Sequence, residues 1–365
     1  MSISEFTRFV AIALLLAACG EQSVLTIGAS QSQTEGRSDA VAPDSGPADV
    51  WSDAAEIPED TTQTWAIAVD RDDNHACAVT RDHRVACWGD NTGGQLGDGT
   101  QNWRGTAQFV ANVFNISRVV VDKLASCAIA VDGNVTCWGS IAWKFGKGQQ
   151  AAWEPRLMPE LGKLKALSFG AVDVSLVRLD GETLCWEPQK AMVEAQGIAD
   201  GVDTALGCSG CVLRANGTLV CGDFINKNTH VIAGIFTALR ADKGKAFVLR
   251  QDGHVLATSP LSVAVVDEVF TGKAIAISTD CFLDAAGQVY CADHLPSGAA
   301  KNPALGLGDV AFVPQLTGTL NVFRGPCANG PDGLLRCWGN NSNGSIGNGL
   351  KHQEFIADPA LVVQP

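Results

Sequence analysis

Cysteine pairs with a constant spacing of ten residues are the main candidates for chemistry in this chain of 365 residues. Five such pairs occur between residues 77 and 337, among thirteen cysteines in all. The spacing suits a disulfide across a β-hairpin, because directly opposed residues of two antiparallel strands lie close enough to be bridged. The predicted hairpin disulfides are Cys77–Cys87, Cys127–Cys137, Cys211–Cys221, Cys281–Cys291 and Cys327–Cys337.

A zinc site is the competing interpretation of these cysteines. Zinc ligands usually have close spacings such as Cys-x2-Cys, and only Cys208 and Cys211 have that spacing. Disulfides fit the pattern better, and they require an oxidising compartment. Outside the five pairs and the N-terminal segment, Cys185 and Cys208 remain. We predict a disulfide between them, with two separate buried thiols as the alternative.

Each pair belongs to a repeated hairpin that must position it. Seven hairpins are predicted, including one in which Ser175 faces Cys185 and one in which Phe247 faces Ala257. A loop of three residues would place the ends opposite each other, and its third residue would take a left-handed conformation that suits glycine. His83 stands there in the first hairpin, where we expect strain or a different turn. The other six hairpins have glycine at this position: Gly133, Gly181, Gly217, Gly253, Gly287 and Gly333.

The N-terminus has the composition of an export signal. Residues 9–18 are an apolar run, shorter than the roughly 20 residues needed to cross a bilayer but suited to a signal peptide. The run ends in Leu16-Ala17-Ala18-Cys19-Gly20, which resembles the bacterial lipoprotein signal. That resemblance implies cleavage before Cys19, attachment of diacylglycerol and a fatty acyl chain such as palmitate to this residue, and location in the outer membrane or at the cell surface. An ordinary secretory signal is the alternative.

The segment after Cys19 has a different composition from the rest of the chain. Between Gly20 and Thr64, nine acidic residues stand against Arg37, and Ser, Gln, Pro and Ala are frequent. Such a segment cannot bury enough apolar surface to offset the entropy lost on ordering. We therefore predict a signal peptide at 1–18, a lipidated cysteine with an acidic disordered tether at 19–64, and a folded domain at 65–365.

The spacing of the hairpins predicts the architecture of the folded domain. Helical periodicity is weak, and successive hairpins start 34 to 50 residues apart. Their mean separation of about 42 residues is the length of a propeller blade. A β-propeller also leaves few sheet edges exposed. We therefore predict an all-β fold, a β-propeller, with a solenoid of hairpins as the alternative.

The residues that follow the closing cysteines carry a family resemblance. The first hairpin continues as Trp88-Gly89-Asp90-Asn91-Thr92-Gly93-Gly94-Gln95-Leu96-Gly97, and the last continues as Trp338-Gly339-Asn340-Asn341-Ser342-Asn343-Gly344-Ser345-Ile346-Gly347. Both resemble the regulator of chromosome condensation repeat, and the middle hairpins keep less of the motif. The resemblance implies a seven-bladed β-propeller.

The motif residues are interpreted as structural. Where a Trp follows the closing Cys, it would fill the gap between blades, and Asn91, Gln95 and Asn341 would bond to the loop backbone. The strand-like tail from Phe355 onward is predicted to complete the blade that contains Cys77, which would tie the two chain ends together.

Candidate binding residues lie between the first three hairpins. Aromatic and cationic side chains cluster there on predicted loops and are favoured at protein interfaces, although inter-blade packing would use the same residues. We predict a protein-binding or adhesive scaffold, a monomer anchored to the membrane by its lipid. The alternative is a carbohydrate-binding or carbohydrate-cleaving propeller, in which the tryptophans would stack on sugar rings. The candidates are Trp103, Arg104, Trp143, Lys144, Phe145 and Trp153.

Other functional classes are disfavoured by the sequence. The histidines lack metal-ligand spacing, and no phosphate loop, nucleophile elbow or dinucleotide fingerprint occurs. We expect no catalytic residues, no cofactor and no metal. A net charge of −13 disfavours nucleic acid as a partner.

Overall fold

The structure is a computed structural model that describes residues 64–141, 145, 151–187, 192–195, 197–242, 244–258, 266–270, 272–279, 281–291, 300–301, 311–351 and 353–365. These residues form seven antiparallel sheets, each made from one continuous stretch of chain. The first strands of successive sheets contact each other in turn, and the first strand of the seventh sheet contacts that of the first. The predicted all-β fold and seven-bladed β-propeller are therefore confirmed.

Blades 1 to 4 each contain four strands in sequence order. Their strands are β1 (Ala66–Arg71), β2 (His75–Thr80), β3 (Val85–Gly89) and β4 (Arg104–Phe109); β5 (Ile116–Asp122), β6 (Ala125–Ala130), β7 (Val135–Gly139) and β8 (Ala152–Leu157); β9 (Leu164–Phe169), β10 (Val174–Arg178), β11 (Thr183–Trp186) and β12 (Val193–Glu194); and β13 (Gly201–Ala205), β14 (Cys211–Arg214), β15 (Leu219–Asp223) and β16 (Asn228–Ile232).

Blades 5 and 7 also have four strands, whereas blade 6 has five. Their strands are β17 (Phe236–Asp242), β18 (Lys245–Arg250), β19 (Val255–Thr258) and β20 (Val266–Phe270); β21 (Ala274–Ile277), β22 (Cys281–Asp284), β23 (Val289–Cys291), β24 (Ala300–Lys301) and β25 (Ala311–Phe312); and β26 (Asn321–Phe323), β27 (Cys327–Asn329), β28 (Leu335–Asn341) and β29 (Gln353–Leu361). Short 3-10 helices cover Pro159–Leu161, Gly207–Ser209 and Pro314–Leu316.

The second and third strands of each blade form the repeated hairpin. In blade 2, Cys127 lies directly opposite Cys137, and the turn closes with a hydrogen bond of 2.9 Å from the Gly133 amide to the Ala130 carbonyl oxygen. All six predicted glycines have positive φ, and His83 adopts the same left-handed conformation at φ 60°. The turn is therefore unchanged in blade 1, where His83 takes on the strain and its Nδ1 lies 2.8 Å from the Ile116 carbonyl oxygen.

All five predicted hairpin disulfides are present. Each lies in the buried core, and three share a core cluster with the Trp of the next blade, one of them being Cys327–Cys337 with Trp88. Trp138 packs with Cys77 and Cys87, and Trp338 packs with Cys281 and Cys291. The disulfide that links two strands of one blade therefore also forms part of the surface on which the Trp of the next blade packs.

The predicted disulfide between Cys185 and Cys208 is absent. Both cysteines are buried free thiols. Cys208 is directed by the 3-10 helix before β14 toward blade 3, where its Sγ lies 3.3 Å from the Val174 carbonyl oxygen. A hydrogen bond with Cys185, together with burial, raises the pKa of Cys208 well above its ordinary value. The two residues therefore meet between the blades, but as thiols.

The predicted role of the C-terminal tail is wrong. The tail forms β29, the outer strand of blade 7, where Arg336 pairs with Leu361. Blade 1 already has β4 as its outer strand, so the tail adds no strand there, although the Val363 carbonyl oxygen accepts a 3.0 Å hydrogen bond from the Ala107 amide of β4. The ring closes through bonds between complete blades, such as the 3.0 Å hydrogen bond from the Trp65 amide to the Gly333 carbonyl oxygen.

Candidate functional site

The long loop between the third and fourth strands of blade 1 is held by its own polar side chains. Asn91 and Gln95 are fully buried. The amide of Leu96 donates to Asn91 Oδ1 at 2.9 Å, and the amide of Gly93 donates to Gln95 Oε1 at 2.8 Å. In blade 7 the amide of Ile346 donates to Asn341 Oδ1 at 3.1 Å. All three side chains bond to the loop backbone, as the structural interpretation predicts.

These loops also receive the Trp of the next blade. Trp138 Nε1 donates to the Gln95 carbonyl oxygen at 2.7 Å, and Trp88 Nε1 donates to the Ser345 carbonyl oxygen at 2.9 Å. The two acceptors hold the same position in the loops of blades 1 and 7. By contrast, Trp338 Nε1 is buried without a partner among the described residues, because the motif loop is missing from blade 6.

Trp103 and Trp153 occupy equivalent positions at consecutive blade interfaces. Trp103 packs on Gly344 of blade 7, and Trp153 packs on Gly94 of blade 1; a Cβ at either glycine would lie 2.5 Å from the indole. Trp103 Nε1 also donates to the Asn343 carbonyl oxygen at 2.8 Å. Trp153 remains 44% exposed. Both indoles therefore support inter-blade packing, and Trp153 alone presents a large surface to solvent.

The other predicted binding residues are used differently. Arg104 Nε lies 2.6 Å from Asp98 Oδ2. Burial alone would raise the pKa of Asp98, but hydrogen bonds from Thr100 and Arg104 lower it below its ordinary value. Phe145 is buried in the core, where it makes an edge contact with the ring of Trp186, so it offers no binding surface. Trp143, Lys144 and the predicted lipidation site Cys19 lie outside the described residues.

Exposed apolar side chains concentrate instead at the opposite end of the propeller, here called the turn face. In a blade with strands in sequence order, the hairpin turns and the connections to the next blade lie at one end, and the long loops lie at the other. Seven of the exposed large apolar residues at the turn face lie in hairpin turns, in connections between blades or at the start of an inner strand, and all seven blades or their junctions contribute. They are Ile67, Phe114, Val131, Leu179, Ile235, Ile275 and Leu320.

Two apolar turn residues mark the turn face in the sequence, and the sequence analysis missed them. Val131 and Leu179 stand first in the three-residue turns of blades 2 and 3. Polar or small residues, such as Arg81 and Gln251, fill this position in other blades. A single exposed apolar residue is common on protein surfaces, but several that lie close together mark a candidate binding site.

Two other classes of site receive no support from the described part of the chain. No three His, Cys, Asp or Glu side chains in it come together in a way that could hold a metal ion. None of its helices is long and apolar enough to span a bilayer.

Comparison with known proteins agrees with this geometry. The family model of the regulator of chromosome condensation (RCC1) repeat matches residues 73–95, which include the first hairpin and most of its motif loop. The crystal structure of human WBSCR16 is 16% identical, with 77% of this chain and 94% of that chain covered at a TM-score of 0.62. Yeast RCC1 (Prp20), solved with Kap60, is 15% identical, with 81% and 74% covered at a TM-score of 0.46. The chain is therefore a seven-bladed β-propeller whose first hairpin and loop match the regulator of chromosome condensation repeat.

Proposed function

We propose that this protein is an exported lipoprotein whose propeller binds a protein partner through the turn face, without catalysis. The observation that carries this proposal is the set of seven exposed apolar residues at that face. Monomeric soluble proteins rarely leave large apolar areas uncovered, and such areas mark interaction sites. Val131 and Leu179 are near neighbours within the set, since Leu179 packs against Gly133 in the same turn as Val131.

Anchoring to the outer membrane or cell surface is part of the same proposal. Five disulfides are consistent with an exported protein, because such bonds persist in oxidising compartments. The sequence Leu16-Ala17-Ala18-Cys19 supports lipid attachment at Cys19. Several acyl chains on one residue would give stable membrane binding where a single chain would be marginal. Labelling with palmitate should be lost in Cys19→Ala, and the variant should leave the membrane fraction.

The turn face is tested by crosslinking and co-purification of the full-length protein from its own cells. Val131→Asp should abolish capture of the partner. Val172→Asp is the matched control, because Val172 is 62% exposed, Val131 is 64% exposed, and Val172 lies between β9 and β10 at the opposite end. Equal capture by both variants would refute the turn-face assignment. Size measurement by light scattering should show a monomer.

Carbohydrate binding is the second candidate, and the exposure of Trp153 is the observation that favours it. An indole that is 44% exposed beside the exposed Glu154 can stack on a sugar ring. Binding of defined glycans on an array that is lost in Trp153→Ala, and kept in Val131→Asp, would select this function over protein binding.

A further inference from the structure

The central channel contains a cavity of about 310 Å³ that the proposed function does not use. Inner strands from six blades line it. Its walls combine apolar side chains, among them Val119, Leu239 and Phe323, with five charged residues. The charged residues are Asp70, Arg118, Asp203, Arg240 and Arg324.

The charged residues form two groups that bridge different blades. Arg324 Nη1 donates to Asp70 Oδ2 at 2.8 Å, and Arg324 Nε donates to the Ala241 carbonyl oxygen at 3.2 Å, so this side chain extends across the channel from blade 7. In the second group, Asp203 of blade 4 lies between Arg118 of blade 2 and Arg240 of blade 5. The shortest nitrogen to oxygen distances are 2.7 Å to Arg118 and 3.5 Å to Arg240.

The second group has one carboxylate for two guanidinium groups. The contacts described for Arg118 and Arg240 use only Nη1 of each side chain: Arg118 bonds to Asp203, and Arg240 bonds to Asp203 and to the Leu239 carbonyl oxygen. A guanidinium carries five N–H donors, so Nε and Nη2 of both residues keep donors that can face the cavity. About a third of each side chain is exposed.

A positive charge that lacks a matching negative charge destabilises the folded protein when it lies in a partly buried channel. Burial lowers the pKa of Arg240, and the nearby charges of Arg118 and Arg324 lower it further, against the effects of Asp203 and Asp70. An anion between the two guanidinium groups would supply the missing negative charge and accept the remaining donors. Guanidinium groups bind carboxylates and phosphates in a bidentate manner.

We propose that the central channel is a binding site for a small organic acid, whose carboxylate is held between Arg118 and Arg240. The apolar part of the ligand would contact Phe169 and Leu206, which line the cavity and are partly exposed. The volume is at the lower end of the range for small-molecule sites. This site is separate from the turn face and does not depend on the proposed protein partner.

Isothermal titration of the full-length protein in detergent at low salt provides the test, with benzoate as probe. One saturable site per chain is expected. Arg240→Gln should weaken binding by roughly tenfold or more, because it removes charge-assisted hydrogen bonds. The control is Arg214→Gln, since Arg214 is 32% exposed like Arg118 and pairs with Asp200 at 2.6 Å away from the cavity.

A variant with the opposite expected sign keeps the proposal falsifiable should Arg240→Gln fail to fold. Asp203→Asn removes the internal carboxylate that competes for the two guanidinium groups, so it should tighten benzoate binding. Inorganic phosphate, which has no apolar part, should bind more weakly than benzoate. The proposal is overturned by absence of saturable binding, by equal affinity in Arg240→Gln and wild type, by weaker binding in Asp203→Asn, or by phosphate binding more tightly than benzoate.

Discussion

Arg324 of blade 7 donates two hydrogen bonds from Nη1 to the carboxylate of Asp70 in blade 1, at 2.9 and 2.8 Å. Asp70 is buried, and its Oδ2 also accepts from the Val121 amide of blade 2 at 2.8 Å. Arg324→Gln would leave the carboxylate without its cation, and breaking a buried pair in this way costs about 3 to 5 kcal/mol. Denaturant unfolding should show this loss, and a smaller loss in the Asp70→Asn/Arg324→Gln double variant.

The same pair predicts a dependence on pH. Burial raises the pKa of Asp70 above its ordinary value despite the opposing charge of Arg324. An acid whose pKa is raised by folding contributes its stability at low pH and loses it as the pH rises through the folded pKa. Removal of Arg324 raises that pKa further, so the deficit of Arg324→Gln should be small near pH 4 and grow toward pH 7. A deficit that is constant with pH would contradict this.

Asp72 should give the opposite pH dependence. Burial opposes its ionisation, but hydrogen bonds from His75 and Asn74 outweigh that effect and hold the pKa at about 2. Its stabilising contribution is therefore complete above the unfolded pKa and is lost as the pH falls from about 4 to 2. Asp72→Asn should cost on the order of 2 kcal/mol at pH 6 and little at pH 2. The exposed neighbour Asp73 supplies the control variant Asp73→Asn.

Conservative changes at the two equivalent tryptophans separate packing from hydrogen bonding. Trp103→Phe loses the bond to the Asn343 carbonyl oxygen and should destabilise the propeller by about 1 kcal/mol beyond Trp153→Phe. No hydrogen bond of the Trp153 indole occurs among the described residues. Thermal unfolding of the two variants in parallel measures the difference, and equal midpoints would show that the bond to Asn343 contributes nothing.

The two free thiols should be protected in the native state. Cys185 and Cys208 are buried, so an alkylating reagent should leave them unmodified until the protein is denatured. Denaturation without reductant should then expose two reactive thiols within residues 64–365, as counted by mass spectrometry of peptides. Recovery of a peptide in which Cys185 and Cys208 are linked would show that they are oxidised.

A single substitution should add a sixth hairpin disulfide. Ser175 lies directly opposite Cys185, in the register that the cysteines occupy in five other blades. Ser175→Cys should therefore bridge to Cys185 and leave Cys208 as the one free thiol of the pair. Ser175→Ala is the control, because it also removes the 2.6 Å hydrogen bond to Thr204. Three free thiols in Ser175→Cys would contradict the register.

The parts of the fold that could be predicted from the sequence depend on short separations along the chain. Opposed cysteines ten residues apart and a glycine in the turn between them report on one hairpin, so their pattern is visible locally. Pairing of the tail was predicted wrongly, because the motif does not show which neighbouring strand an extended segment will pair with. Only the presence of β4 in blade 1 decides that the tail belongs to blade 7.

The charged residues of the channel could not be found from the sequence, because they are far apart along the chain. Arg118, Asp203 and Arg240 lie in three different inner strands, and only closure of the ring brings them together. The aromatic candidates could be identified from the sequence because each stands out by its own residue type and position. Trp103 and Trp153 are large and close to the motif, but each packs on a glycine of the neighbouring blade.

Because β29 stays within its own blade, each blade corresponds to one uninterrupted segment of the chain. If the C-terminal tail had completed blade 1, that blade would contain strands from both ends of the chain. Duplication of a repeat would then have to keep this mixed blade intact. Here a whole repeat can be copied or deleted without breaking any sheet. Each blade can therefore differ in its loop without affecting the sheet of another, as in the complete motif loops of blades 1 and 7 beside the degenerate ones between them.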